Sequence, residues 1–141
     1  MISFLITAFK IVFVLGFLIL IHEGGHFLVA RLCKVTVNEF SIGFGPVILK
    51  KQGKQTKYTL RLIPLGGFVN LEGEEERSEK EGSFSKASIP KRIAIVAAGG
   101  LVNIVFAIIV YFTLMTVIGN NTSLVVDSTI ENYAARNAGI L

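Results

Sequence analysis

The sequence has a single cysteine among its 141 residues, so Cys33 has no partner for an intrachain disulfide. No side chain among the first nine residues is positively charged, and no A-x-A site follows the first apolar run. A cleaved signal peptide has both features, and that class of segment is therefore disfavoured. No recognisable nucleic-acid-binding motif accompanies the basic residues, so we expect no nucleic-acid partner.

Two long apolar runs dominate the sequence. Hydrophobic residues make up 52% of the chain and cluster in two stretches, about residues 2–30 and 93–118. A helix needs roughly 20 mostly apolar residues to cross a bilayer. The sequence therefore predicts a mainly α membrane protein with two transmembrane helices in contact with the lipid bilayer.

The distribution of charge predicts an orientation. Twelve of the fourteen Lys and Arg residues lie between Arg31 and Arg92, in the segment that joins the two apolar runs. Cytoplasmic loops of membrane proteins are enriched in these residues. We expect a multi-pass protein of the cell membrane, with residues 31–92 on the cytoplasmic side and both ends outside. The acidic run at 72–82 lacks the spacing of an EF-hand calcium loop and is typical of a solvated linker.

Apolar and polar residues alternate over parts of the connecting segment, which is typical of short strands. Open strand edges cannot face lipid, so we expect these strands to be covered by protein or to lie beside a cavity. The expected segments are a first transmembrane helix at 1–34, strands at 35–71, a charged linker with an amphipathic approach at 72–92, a second transmembrane helix at 93–118, and a terminal segment at 119–141.

One motif carries chemistry. His22, Glu23 and His26 fit the pattern H-E-x-x-H. A spacing of four places both imidazoles on one helix face, where they can bind one Zn²⁺ at about 2.0–2.1 Å. Glu23 is rotated by about 100° and can act as general base on a metal-activated water. His26 lies roughly 8 Å inside Arg31 along the helix axis, so the motif is at membrane depth.

Other readings of the motif stay open. It could be a buried polar cluster that only pairs helices, or a haem-ligating pair, although histidines one turn apart cannot reach an iron from opposite faces. A catalytic zinc also needs a third protein ligand. Cys33 is about 10 Å from His26 along the axis, too far to share an ion. Glu39, the acidic run and Asp127 lie outside the apolar spans, so we expect the third ligand not to be in this chain.

The chain resembles the site-2 protease family of intramembrane zinc metalloproteases, peptidase M50, and within it the regulator-of-sigma-E type. A last segment, STIENYAARNAGIL (128–141), resembles the opening of an extracytoplasmic PDZ domain, so the whole resembles an N-terminal fragment. Four segments carry the family resemblance: HEGGHFLVAR (22–31), FSIGFGP (40–46), YTLRLIPLGGFV (58–69) and KRIAIVAAGGLVNIVFAI (91–108).

The resemblance implies a zinc-dependent intramembrane endopeptidase whose substrates are membrane-spanning proteins such as anti-sigma factors, cut after a first cleavage by another protease. It implies that residues 35–71 form a membrane-reentrant region that binds the unwound substrate by strand addition. The residue roles it implies are zinc ligation by His22 and His26, acid/base catalysis by Glu23, and a place near the site or the substrate for Asn103, Pro64, Leu65, Gly66 and Gly67.

Two departures accompany the resemblance. Gly100 stands where the family usually has proline, and the later helix whose aspartate supplies the third zinc ligand has no counterpart here. The alternative function is therefore a non-catalytic membrane adaptor, a truncated or degenerate protease that binds transmembrane partners. Nothing in the sequence predicts an oligomeric state.

Overall fold

A computed structural model describes residues 1–119. The chain divides into two compact units, Met1–Ile108 and Ile109–Leu141. In the second unit the described residues form the end of a helix, in which the Thr113 hydroxyl donates to the Ile109 carbonyl at 2.7 Å. The expected start of a PDZ domain, residues 119–141, lies outside the described residues except for Gly119.

Two helices are long and apolar enough to cross a membrane: α1 (Ile2–Leu32) and α2 (Ile89–Ile118). Most of their large apolar side chains are exposed, as expected for helices whose solvent is lipid. A 3₁₀ turn at Phe84–Lys86 precedes α2. α2 begins four residues before the expected 93, since a proline at position 90 suits the first turn of a helix.

A Schellman motif ends α1. Lys34 adopts a left-handed conformation with φ of 61°. Its N–H donates to the Arg31 carbonyl at 3.1 Å, and the Val35 N–H donates to the Ala30 carbonyl at 2.9 Å. These bonds satisfy carbonyls that the helix leaves free, so the chain turns at once into the sheet.

The sheet has two long strands, β1 (Val37–Gln52) and β2 (Lys57–Leu71), which pair antiparallel around a turn closed by a 2.9 Å bond from the Gly53 N–H to the Thr56 carbonyl. Each strand changes its pairing near the middle. Residues 39–42 have partners on both sides: 67–70 in antiparallel order, and 57–60 in parallel order. The outer edges of the sheet are consequently residues 47–52 and 67–71.

A small core joins these elements at the basic end of α1. Its buried members are Ala30 on α1, Val37 and Leu71 at the base of the sheet, and Ile95 on α2, together with Val35. Backbone bonds hold the linker to the same place: the Thr36 N–H donates to the Gly82 carbonyl at 2.8 Å, and the Phe84 N–H to the Glu72 carbonyl at 2.7 Å. The linker, residues 72–83, contains no helix or strand.

A polar network ties the strands together. The Glu39 carboxylate, 17% exposed, accepts bonds from Lys57 at 3.0 Å, Thr59 at 2.8 Å and Arg61 at 3.1 Å. Arg61 also donates to Ser41 at 2.9 Å and to the Gly45 carbonyl at 3.0 Å. Burial raises the pKa of Glu39, but the bonds from Thr59, Lys57 and Arg61 outweigh it, so the pKa lies below its ordinary value.

We therefore expect Glu39 to make stability depend on pH. Because its pKa is lower in the folded chain, its contribution is complete above the ordinary carboxyl pKa of about 4.3 and is lost as the pH falls through the folded pKa. Glu39→Gln should cost about 1–3 kcal/mol at pH 7 and progressively less as the pH falls below the ordinary carboxyl pKa. Thermal melting in detergent between pH 7 and pH 3 measures this difference. Glu76→Gln, in the exposed linker, is the control, and an equal pH slope in the wild type and in Glu39→Gln contradicts the expectation.

Candidate metal centre

The H-E-x-x-H motif lies on α1 where that helix meets both α2 and β2. His22 and His26 face α2, where they contact residues 95–103. Glu23, on the neighbouring face, points to β2, next to Gly67 and the backbone of Val69. All three residues are partly buried by protein. Ionisable groups at membrane depth need protein partners, since lipid offers them none.

The two imidazoles converge. His22 Nε2 and His26 Nε2 are 3.1 Å apart, and the rings are tilted by 79°. His26 Nδ1 lies 2.8 Å from the Ile95 carbonyl oxygen, which can only accept, so Nδ1 carries the proton. The Nε2 lone pair of His26 is then free for a metal. A separation of 3.1 Å would let both nitrogens bind one ion at the usual Zn–N distance of about 2.0–2.1 Å.

Asn103 of α2 lies on the other side of His22. Its side-chain amide is 3.5 Å from His22 Nδ1, and its Oδ1 atom is buried without a partner. When Nε2 of a histidine binds metal, Nδ1 carries a proton and needs an acceptor. A 180° rotation of the Asn103 amide would exchange its nitrogen and oxygen and place Oδ1 next to His22 Nδ1. The rotation costs little space, because the two atoms are nearly the same size. The unpartnered oxygen therefore fits a His22 that binds metal through Nε2.

A glycine keeps the space at the imidazoles open. A Cβ atom added at Gly99 would lie 2.5 Å from His26 Nε2 and 2.8 Å from His22 Nε2. The two nitrogens thus border a hollow that an ordinary side chain would fill. Close approach of the helices shapes this hollow, since a Cβ at Gly25 would lie 2.9 Å from the Ala98 carbonyl oxygen. The two imidazole nitrogens, the unpartnered amide oxygen of Asn103 and the hollow beside Gly99 together fit a metal ion.

The β-region residues expected near the site separate into two groups. A Cβ at Gly67 would lie 3.5 Å from Glu23 Cγ, so Gly67 is beside the carboxylate. The Pro64 carbonyl instead contacts Gly16, almost two turns of α1 away from Glu23. Gly66, with φ of 100°, lies under the Phe44 ring, and Leu65 is 42% exposed. β2 therefore runs beside α1 from Gly16 to the motif.

Within residues 1–119, no group of three or more His, Cys, Asp or Glu side chains is placed to hold an ion. Glu23 is therefore next to the histidine pair without joining its ligand set. Asp127 lies outside the described residues. The expectation that the third ligand is not in this chain stays a prediction.

Two contacts of the site were not expected from the sequence. One is the Ile95 carbonyl that orients His26, which no sequence pattern could indicate because every residue has a carbonyl. The other is the Val69 backbone beside Glu23. The small residues at 97–100 were a usable signal for a close helix approach, but not for the side of α1 that they would meet.

Comparison with known proteins identifies the family of the chain. The model of Peptidase family M50 matches residues 10–138, which is most of the chain. This chain belongs to peptidase family M50. The M50 chain is of the site-2 protease class, regulator-of-sigma-E type, and it has the two membrane-length helices and the intervening sheet described above.

Similar proteins include regulator of sigma-E protease RseP of Escherichia coli, 43% identical over 126 residues, with 84% of this chain and 27% of that protein covered. Protease RseP of Yersinia pestis is 41% identical over 124 residues, covering 84% and 27%. A Clostridium acetobutylicum protein named as a candidate zinc metalloprotease is 44% identical over 96 residues, covering 68% and 28%. The M50 chain thus spans a little over a quarter of these relatives' length.

Two neighbouring glycines, Gly99 and Gly100, provide a matched test of whether the metal binds in the hollow. In Gly99→Ala the new methyl group would occupy the space beside both Nε2 atoms, whereas a Cβ at Gly100 has no atom within 4 Å. Both changes should raise helix propensity by up to about 1 kcal/mol. We expect Gly99→Ala to weaken Zn²⁺ or Co²⁺ binding at least tenfold and Gly100→Ala to leave it unchanged, as measured by metal titration. Equal affinities in the two variants would contradict the assigned position of the ion.

Asn103 provides a second test. Asn103→Leu removes the acceptor for His22 Nδ1–H and should lower metal affinity by roughly 10–100-fold, the usual effect of losing such a partner. Asn103→Asp keeps an acceptor of the same shape and should retain most of the affinity. Metal titration compares the two, with circular dichroism as the check on folding. If Asp and Leu weaken binding equally, the hydrogen bond to His22 is not what Asn103 contributes.

Proposed function

We propose that this M50 chain is part of a zinc-dependent endopeptidase that cleaves membrane-spanning segments of other proteins, such as anti-sigma factors, after a first cut elsewhere. The proposal is supported chiefly by one observation: two imidazole Nε2 atoms 3.1 Å apart on a membrane-length helix, with a carboxylate on the adjacent face. The names of the relatives support zinc as the metal. Zinc would supply Lewis acidity and lower the pKa of a water molecule to about 7.

The chain's own residues have distinct tasks in this reaction. His22 and His26 would bind the metal through Nε2, oriented by Asn103 and by the Ile95 carbonyl. Glu23 is not placed as a ligand and would accept the proton of the attacking water at its carboxylate. It would then deliver that proton to the departing amine nitrogen.

The sheet supplies a place for the substrate. A helical segment hides its peptide bonds, so it must unwind before hydrolysis. Residues 67–71 form an edge of the sheet within residues 1–119, and this edge begins at Gly67, next to Glu23. An extended segment could pair with that edge by strand addition and present a peptide bond to the carboxylate. On this proposal Gly67 and Val69 bind substrate, whereas Pro64 packs the hairpin against Gly16 of α1.

The proposed topology follows the charge distribution. Residues 31–92 would lie on the cytoplasmic side and both ends outside, with residues 35–71 re-entering the membrane beside α1. Contact of Pro64 with Gly16 supports that last point, because Gly16 is about 22 Å from Arg31 along the helix axis. Residues 119–141 would begin a PDZ domain on the outer side.

Glu23→Gln tests the catalytic assignment. The amide has the shape of the carboxylate but cannot accept a proton, so zinc content should stay unchanged and cleavage of a membrane-embedded substrate should fall by at least 10²-fold. The assay uses the full-length protein that contains this chain, with zinc measured by mass spectrometry of the metal. Glu76→Gln, in the exposed linker, serves as control. Turnover retained in Glu23→Gln would remove Glu23 from the mechanism.

A membrane adaptor is the second candidate, favoured by the absence of a third ligand from the described residues. The two functions predict different metal contents. About one zinc per full-length protein, lost in His22→Ala, supports the protease. A folded full-length protein that binds a transmembrane partner and contains no zinc supports the adaptor.

A further inference from the structure

An apolar groove lies between α1 and the sheet, away from α2. Two rows of cross-strand neighbours form its floor: Phe40, Tyr58 and Lys51 in the first, and Ile42, Leu60 and Leu49 in the second. Phe27 of α1 forms the wall, with its ring 5.3 Å from that of Phe40 and 6.2 Å from that of Tyr58. The cavity measures about 570 Å³, within the range of small-molecule sites. We call it the Phe27 groove.

The Phe27 groove is open and has apolar walls. A Cβ at Gly24, one turn of α1 before Phe27, has no atom within 4 Å, so no other part of the described chain covers the groove there. Leu49 is 63% exposed and Leu60 is 38% exposed. A hydrocarbon chain would therefore solvate this surface better than water would.

One end of the Phe27 groove is basic. Lys50 and Lys51 line it at the hairpin end and form no ion pair within residues 1–119. An adjoining cavity, which shares Tyr58, is lined by Arg31 and Lys54. Two cations therefore line the end of the groove, and two more line the adjoining cavity beside the last turn of α1.

The groove also has the right depth. Arg31 marks the membrane interface, and Gly24 is about 10 Å deeper along the helix axis. The basic end is thus level with lipid headgroups, and the apolar part is level with the first methylene groups of acyl chains. Clusters of Lys and Arg at this level attract anionic lipids.

We propose that the Phe27 groove binds one anionic phospholipid, with its phosphate at Lys50 and Lys51 and one acyl chain against Phe27, Tyr58 and Leu60. A zwitterionic lipid would lack the attraction at the basic end. A segment of polypeptide would need acidic residues to match the same end. The charge at this end thus favours an anionic lipid. A lipid bound there would fill the space between the sheet and α1 on the side opposite α2.

Native mass spectrometry of the 141-residue chain tests the proposal. The chain is exchanged from mixed micelles that contain phosphatidylglycerol and phosphatidylcholine with identical acyl chains. We expect one retained phosphatidylglycerol, favoured about tenfold or more over phosphatidylcholine. The double variant Lys50→Gln and Lys51→Gln should abolish this preference.

The control is a second double variant with the same change of net charge, Lys34→Asn and Lys91→Gln. Both lysines are exposed and lie outside the Phe27 groove, and asparagine tolerates the left-handed conformation at position 34. The control should keep the tenfold preference. Equal retention of the two lipids by the wild type, or equal loss of preference in both double variants, overturns the proposal.

A cross-linking experiment on the unaltered chain does not depend on how the variants fold. Phosphatidylglycerol with a diazirine in one acyl chain should label residues 40–60 and Phe27 more than the outer faces of α1 and α2. Labelling spread evenly over the helices overturns the proposal. A benzophenone side chain at position 49 supplies the reverse experiment. Capture of phospholipid supports the groove as a lipid site, and capture of another polypeptide segment shows that protein covers it.

Discussion

The structure depends on a close approach of two membrane-length helices. Gly25 on α1 meets Ala98 and Gly99 on α2 with no side chain between them. Only this contact brings the Ile95 carbonyl to His26 and Asn103 to His22. Without it, the two imidazoles would face acyl chains, which cannot solvate them. The pairing of small residues thus sets both the fold and the chemistry.

The sheet is subject to a similar constraint, because its backbone polar groups also need partners within the membrane. Its strands carry backbone groups that lipid cannot satisfy, so they must pair with one another or lie against protein. The central residues 39–42 pair on both sides, and the Glu39–Arg61 network holds the strands in register from within. One edge remains next to Glu23, where an incoming strand would complete the pairing. The constraint that shapes the sheet therefore also leaves free the edge that the proposed strand addition would use.

Sequence patterns predicted the elements well and their contacts poorly. The two apolar runs, the strand-rich segment between them and the H-E-x-x-H motif are local signals, and the structure has each of them. Membership of peptidase family M50 confirms the family that the motifs resemble. Gly67 lies beside Glu23, whereas Pro64 is almost two turns of α1 away from it, because β2 extends along the helix rather than ending at it.

The sequence by itself determined that two helices of this chain can span a membrane and that one carries two histidines one turn apart with a glutamate between them. Those properties follow from composition and helical period, which are local. The tertiary structure decided that the histidines face α2 while Glu23 faces β2, that His26 Nδ1 is bound to a carbonyl, and that Gly99 borders the hollow between the imidazoles. These depend on which surfaces meet, and contacts between residues about 70 positions apart follow from packing, not from any local pattern.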